Sequence, residues 1–134
     1  KKPFILIDAG ANAQASPEML CQFARMGQTF SKNVMGVENP KVALLNIGEE
    51  AGKGNELSQT AYTMLDADEK INFIGNVEAR DVSYGVCDVL VCDGFAGNVL
   101  LKMYEGSAKV LLDTFKEVFY KNILIYYQSI LQLR

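Results

Sequence analysis

The sequence predicts an α/β fold, a doubly wound and mostly parallel sheet that ends in a long apolar helix. Three observations predict it. Short apolar runs without polar alternation recur along the chain: Phe4-Ile5-Leu6-Ile7, Val42-Ala43-Leu44-Leu45, Ile71-Asn72-Phe73-Ile74 and Val89-Leu90-Val91-Cys92. Strands of that kind are covered on both faces, as in a parallel sheet. Segments with helical spacing separate the runs, the pattern of right-handed crossover units. Finally, the chain has 134 residues and is 49% hydrophobic, enough for one compact domain.

Each element follows from local signals. After the first run, Ser16-Pro17-Glu18 supplies a cap residue followed by Pro at the first helical position. Met19, Leu20, Phe23, Met26, Phe30 and Val34 then recur at helical spacing, and Gly36 ends the helix. After the second run, Asn55 caps a helix carrying Leu57, Ala61, Met64 and Leu65. A shorter helical stretch over 79–84 joins the third and fourth runs. A long helical pattern begins near Asn98, with Leu100, Met103, Val110, Leu111, Thr114, Phe115 and Val118 on one stripe. Residues 1–134 read as a single α/β domain, with 98–134 as its long helix or helices; there is no internal repeat and no low-complexity linker.

Composition narrows the function classes. The formal net charge is −3 and the Lys and Arg residues are scattered, so there is no electrostatic footprint for a nucleic acid. The chain has no histidine, which removes the usual general base and the commonest metal ligand. Any chemistry must rest on Asp, Glu, Lys, Asn and backbone amides. Cys21, Cys87 and Cys92 lack the CxxC spacing and read as reduced core cysteines of a cytoplasmic protein, with reactive thiols as the alternative. Lys1-Lys2-Pro3 runs straight into a strand without a signal-peptide pattern, and the sequence reads as starting in mid-protein.

In open α/β sheets ligands bind beyond the carboxyl ends of the strands, and the polar, glycine-rich segments fall there. The first run is followed by Asp8-Ala9-Gly10-Ala11-Asn12, the second by Asn46-Ile47-Gly48-Glu49-Glu50 and then Lys53-Gly54-Asn55-Glu56. Gly75-Asn76-Val77-Glu78 follows the third, and Asp93-Gly94-Phe95-Ala96-Gly97-Asn98 the fourth. Turn chemistry alone enriches Gly, Asn and Asp in loops; their concentration at one sheet edge favours a site. Glycine lets backbone approach a ligand, Asn offers a donor and an acceptor, and a helix starting after Gly97 aims free amides at the rim. That combination suits an anion or an oxyanion. Lys53 and Lys102 are the cations placed to hold phosphate, or else exposed surface lysines. Gly48 to Lys53 is one residue short of a Walker A loop and no Ser or Thr follows the lysine, which argues against a nucleotide triphosphatase.

Read together, six segments in order resemble the acyl-carrier-protein:phosphate acyltransferase family, PlsX type. They are 6–12, Gly36-Val37-Glu38-Asn39-Pro40, 44–50, 53–57, 71–78 and 92–99, and the likeness extends to about Glu117. The resemblance implies that inorganic phosphate attacks the thioester of acyl-carrier protein, releasing an acyl phosphate used for phosphatidic acid synthesis. It implies a homodimer and a fold related to phosphotransacetylases and isopropylmalate-type dehydrogenases; no cofactor is expected. In the metal-dependent dehydrogenases the loop like 93–102 carries carboxylates where this chain has Asn98 and Lys102. An amide and a cation there discourage a metal, which needs oxygen ligands, and favour an anionic substrate. Lys53, Asn98 and Asp93 are the expected catalytic residues. Asp8, Gly10, Asn12, Asn46, Gly48, Gly54, Asn55, Glu56, Gly75, Asn76, Gly94, Gly97 and Lys102 are the expected substrate-binding residues.

Further family segments, Asp-Ala-Met-Gly-Gly-Asp, Ser-Ala-Gly-Asn-Thr-Gly and a C-terminal region with glycine and histidine, do not occur in this sequence. The chain therefore reads as an internal fragment that lacks full turnover. Segment 122–133 is uncharged and rich in Ile, Leu and Tyr, shorter than the ~20 residues that span a bilayer. It reads as a helical dimer contact, a membrane-touching surface or an apolar segment exposed by truncation. The resemblance adds peripheral association with the inner face of the membrane, beside a membrane acyltransferase that consumes the product. Rival readings are a short-chain acyl-coenzyme A phosphotransacetylase and a non-catalytic α/β binding module.

Overall fold

The computed structural model describes residues 3–131, with side chains to residue 123. The chain divides into two compact units, residues 1–100 and 101–134. The first is an α/β unit. Its elements in order are β1 (Ile5–Ile7), α1 (Pro17–Asn33), β2 (Val42–Asn46), α2 (Glu56–Asp66), β3 (Phe73–Glu78), a 3-10 turn (Val82–Tyr84) and β4 (Val89–Val91). The last helix, α3 (Gly94–Leu131), begins in this unit and makes up the second.

All strand pairs are parallel, and the sheet order is β1-β4-β2-β3. The two central strands carry the most buried runs, as strands covered on both faces should: β4 is buried throughout and β2 over its first three residues. Successive side chains of a strand point to opposite faces, so each central strand feeds two cores. Val42, Leu44, Val89 and Val91 pack with Leu20, Cys21 and Ala24 of α1 and Ala61 and Leu65 of α2. Ala43 and Leu90 face the other way, toward Val77, Val82 and Cys87, with Leu100 of α3 packed against them. Burial of each Val or Leu here contributes roughly 1.5–3 kcal/mol.

The starts of the first two helices are those expected. Ser16 caps α1, its hydroxyl accepting from Met19 N, with Pro17 at the first position; Asn55 caps α2, its Oδ1 accepting from Ser58 N. Only part of the apolar stripe of α1 is buried, and two element bounds differ from those expected. The apolar residues Met26, Phe30 and Val34 do not face the core: they are 60%, 51% and 67% exposed, and the buried face is Leu20, Cys21, Ala24, Gly27 and Ser31. Gly27 is there because a Cβ would collide with the Val89 side chain. Gly27 thus lets the helix approach β4 closely beside the packed Leu20 and Ala24. Segment 79–84 forms only the short 3-10 turn, and α3 starts at Gly94, four residues before Asn98.

The third strand also differs. It begins at Phe73 and runs to Glu78, so Gly75 and Asn76 lie within it and not in a following loop. Its register against β2 shifts between Val42 and Leu44, which pair with Phe73 and Asn76. This is a β-bulge, and Gly75 supplies the positive φ of 94° that it needs.

In the second unit α3 exposes many large apolar side chains between its charged residues. Met103, Val110, Leu111, Leu112, Phe115, Val118, Phe119, Tyr120 and Ile123 are all more than half exposed. Of the uncharged segment 122–133, the side chains beyond Ile123 lie outside those described. Among the described residues, no helix is long and apolar enough to cross a membrane.

Candidate functional site

Strand order decides which polar loops meet. Because β4 lies between β1 and β2, the 93–98 segment is flanked by 8–12 on one side and 46–55 on the other. Two clusters result at the carboxyl rim.

The first is built on β1 and β4. The Asp8 carboxylate accepts from the backbone amides of Gly10 (2.8 Å), Ala11 (2.9 Å) and Asn12 (2.6 Å) and from Asn12 Nδ2 (2.9 Å). Asp8 is buried, and burial opposes its charge, but the hydrogen bonds from Ala11, Asn12 and Gly10 outweigh burial and hold its pKa at about 2. The peptide bond before it, Ile7-Asp8, is cis. The ordered loop docks onto the start of α3: Gly94 N donates to Asn12 O at 2.8 Å and Asn98 Nδ2 donates to Ala9 O at 3.1 Å. Gly97 is buried against Asp8, where a Cβ would overlap the Asp8 carbonyl oxygen and lie 2.9 Å from Cys92 Sγ; a Cβ on Gly94 would lie 2.6 Å from Asn12 O. These two glycines are required by close backbone packing.

Asp93 is the cap of α3, its Oδ1 accepting from Ala96 N at 2.7 Å. With Gly94 N bound to Asn12 O and Gly97 N bound to Asp93 O, three of the first four amides of the helix have partners inside the protein. The expected row of free amides after Gly97 is therefore corrected: the helix starts earlier and most of its first turn is satisfied internally.

The second cluster joins β2, β3 and the start of α2. Asn46 Nδ2 donates to Lys53 O at 3.0 Å and to Asn76 Oδ1 at 3.1 Å, while Asn76 Nδ2 donates to Glu50 O at 2.8 Å. Lys53 Nζ lies 3.7 Å from Glu50 Oε1, and both side chains are largely exposed. Gly48 lies beneath them, where a Cβ would come within 3.0 Å of Lys53 Cγ, and a Cβ on Gly54 would lie 2.5 Å from Asn46 Oδ1. Asn55 is exposed and caps α2, and Glu56 is exposed in its first turn.

The expected residues thus divide. Asp8, Gly10, Asn12, Asp93, Gly94, Gly97 and Asn98 come together in one cluster; Asn46, Gly48, Lys53, Gly54, Asn55, Glu56 and Asn76 stand beside them in the other. Gly75 is not at the rim: it sits in the bulge of β3, near Tyr62 of α2. Lys102 belongs to the second unit, with its Nζ 3.5 Å from Glu105. Glu50, which is not among the expected site residues, has its carboxylate facing Lys53 at spacing i,i+3 within one loop, a signal the sequence does carry.

The three cysteines are free and buried. Burial pushes the Cys87 thiol up to about 11, with the Asp88 charge adding to it. Burial, then the charges of Asp93 and Asp8, pushes Cys92 up to about 12.

Fold and rim together define an open parallel-sheet α/β protein whose polar edge is lined by glycine, asparagine and one lysine-bearing loop. A family model described as fatty acid synthesis protein matches residues 1–134, and the chain belongs to that family. Relatives named phosphate acyltransferase include one from Halothermothrix orenii, 58% identical over 121 residues, covering 90% of this chain and 36% of the relative. One from Clostridium perfringens is 58% identical over 114 residues, covering 85% of this chain and 34% of its own length. One from Shouchella clausii is 54% identical over 114 residues, with the same coverage of 85% and 34%. The chain spans about a third of the length of these curated relatives.

Proposed function

We propose that the intact protein moves a fatty acyl group from acyl-carrier protein to inorganic phosphate, giving an acyl phosphate for phospholipid synthesis. The observation that carries this reading is that the Lys53 loop and the helix start carrying Asn98 follow neighbouring strands of one rim, β2 and β4. The names of the relatives point the same way.

In this reading a phosphate oxygen attacks the thioester carbonyl carbon. A C–O bond forms, the C–S bond breaks, and the carrier sulfur leaves with the electron pair and takes up the proton that phosphate gives up. Phosphate is a competent nucleophile near neutral pH, so the protein has chiefly to hold it and to stabilise the oxyanion. Lys53 supplies the charge for phosphate. Its contact with Glu50 is long and exposed, a weak pair that an incoming dianion displaces. One hydrogen of the Asn98 amide is held by Ala9 O and the other serves the oxyanion, and Asp93 acts through the cap that fixes the helix carrying Asn98.

The test is phosphate-dependent loss of acyl-carrier thioester by the intact protein. Lys53→Ala raises KM for phosphate, and Asn98→Ala lowers kcat by about 10²-fold, the usual cost of an oxyanion donor. Unchanged turnover and phosphate dependence in both would remove them from the reaction. Consumption of short acyl-coenzyme A thioesters in place of acyl-carrier protein would make the protein a phosphotransacetylase, and no acyl phosphate from either donor would make it a binding module.

The many large apolar side chains that α3 exposes support a homodimer contact, since exposed apolar surface of that extent marks an interaction surface. Sedimentation of the intact protein tests it, and liposome flotation tests the peripheral membrane alternative at the cytoplasmic face.

A further inference from the structure

The carboxyl ends of β2 and β3 carry two side-chain amides whose hydrogen-bonding groups are taken up by the protein itself. Both hydrogens of Asn46 Nδ2 are in use, one on Lys53 O and one on Asn76 Oδ1, and Asn46 Oδ1 accepts from Ile47 N at 2.8 Å. Asn76 is 6% exposed, and its Nδ2 reaches Glu50 O at 2.8 Å. These bonds tie the loop at Ile47, Glu50 and Lys53 to two strand ends. Within it, Lys53 N donates to Glu50 O at 3.0 Å, so the carbonyl that Asn76 holds also sets the backbone of Lys53. Gly54 closes the arrangement, because only a residue without a Cβ leaves room for Asn46 Oδ1 there.

We propose that Asn46 and Asn76 are positioning residues that act through Lys53, and not substrate contacts. Their amides hold the loop backbone on both sides of the Glu50 turn, so the lysine ammonium is presented to the rim in one place. An unpinned loop of this length would spread a four-carbon lysine stem over many positions, weakening a phosphate contact without touching the chemistry at the carbonyl carbon. This inference rests on the reading of Lys53 as the phosphate contact.

A double-mutant cycle on the intact protein tests it, with calorimetric titration of inorganic phosphate and steady-state kinetics as readouts. Asn46→Ala and Asn76→Ala each weaken phosphate binding by about tenfold, the effect of one lost hydrogen bond, and change kcat by less than about twofold. In a Lys53→Ala background the same substitutions weaken it by less than about twofold. Equal weakening in both backgrounds, or none in either, overturns the inference and leaves Lys53 in place. Unchanged phosphate binding in Lys53→Ala alone overturns the Lys53 reading and this inference with it. If Asn76→Ala fails to fold, the half-buried Asn46 completes the cycle alone, and hydrogen exchange at the Ile47 and Lys53 amides must quicken in Asn46→Ala for the inference to stand.

Discussion

Replacing Asp8 with asparagine isolates the hydrogen-bonded cradle that orders the rim. The carboxylate accepts four bonds within 2.9 Å, three from backbone amides that have no other partner in the loop. An asparagine keeps one acceptor oxygen and turns an N–H toward donors that need an oxygen. Holding the pKa at about 2 against an ordinary 3.8 is a stabilisation of about 2 kcal/mol in the ionised form, at roughly 1.4 kcal/mol per unit. The folded-state value is depressed, so this contribution is present in full above the ordinary value and is lost as pH falls from about 4 through 2. The assay is urea denaturation of the intact protein and of Asp8→Asn at steps from pH 7 to pH 2. Asp8→Asn is less stable by about 2–3 kcal/mol at pH 7, and the gap narrows by about 2 kcal/mol on reaching pH 2. Other low-titrating carboxylates, such as Asp68 held by Arg25, are common to both proteins and cancel in the difference. A gap that is absent at pH 7, or that stays constant with pH, would refute the cradle argument.

Two further outcomes follow from packing. Gly97→Ala drives a methyl group into the Asp8 carbonyl and toward Cys92 Sγ, and it destabilises the intact protein by about 2–4 kcal/mol in chemical denaturation; a loss under about 0.5 kcal/mol would mean that α3 can slide away from β1 freely. Cys87 and Cys92, buried and with thiols raised to about 11 and 12, resist alkylation at pH 8 until the protein unfolds, as mass spectrometry of labelled peptides would report. Labelling of either at the rate of a free thiol would contradict their burial.

Much of the fold was legible because its signals are local. Ser16-Pro17 and Asn55 carry their helix starts in their own chemistry, and the runs at 42–45 and 89–92 are apolar without alternation since both faces of a central strand are covered. The errors also have local causes. Gly75 reads as part of a rim loop because a bulge glycine and a loop glycine look alike in sequence. Met26, Phe30 and Val34 share the helical spacing of Leu20 and Phe23, but spacing does not tell which part of the stripe is covered, and the buried face turns instead through Ala24, Gly27 and Ser31.

The candidate site divides along the same line. That glycine, asparagine and carboxylate residues gather at the carboxyl ends of parallel strands follows from the order of elements along the chain, and the sequence by itself determines it. Which loops touch, and which polar groups remain free for a ligand, was decided by the tertiary structure. Strand order β1-β4-β2-β3 depends on crossovers between distant segments, and it sets 93–98 between 8–12 and 46–55. Once these loops are adjacent, Asp8, Asn12, Asn46 and Asn76 find partners in each other and in nearby backbone. A buried polar group takes whatever partner its neighbours provide, and those neighbours are set by the fold and not by position along the chain.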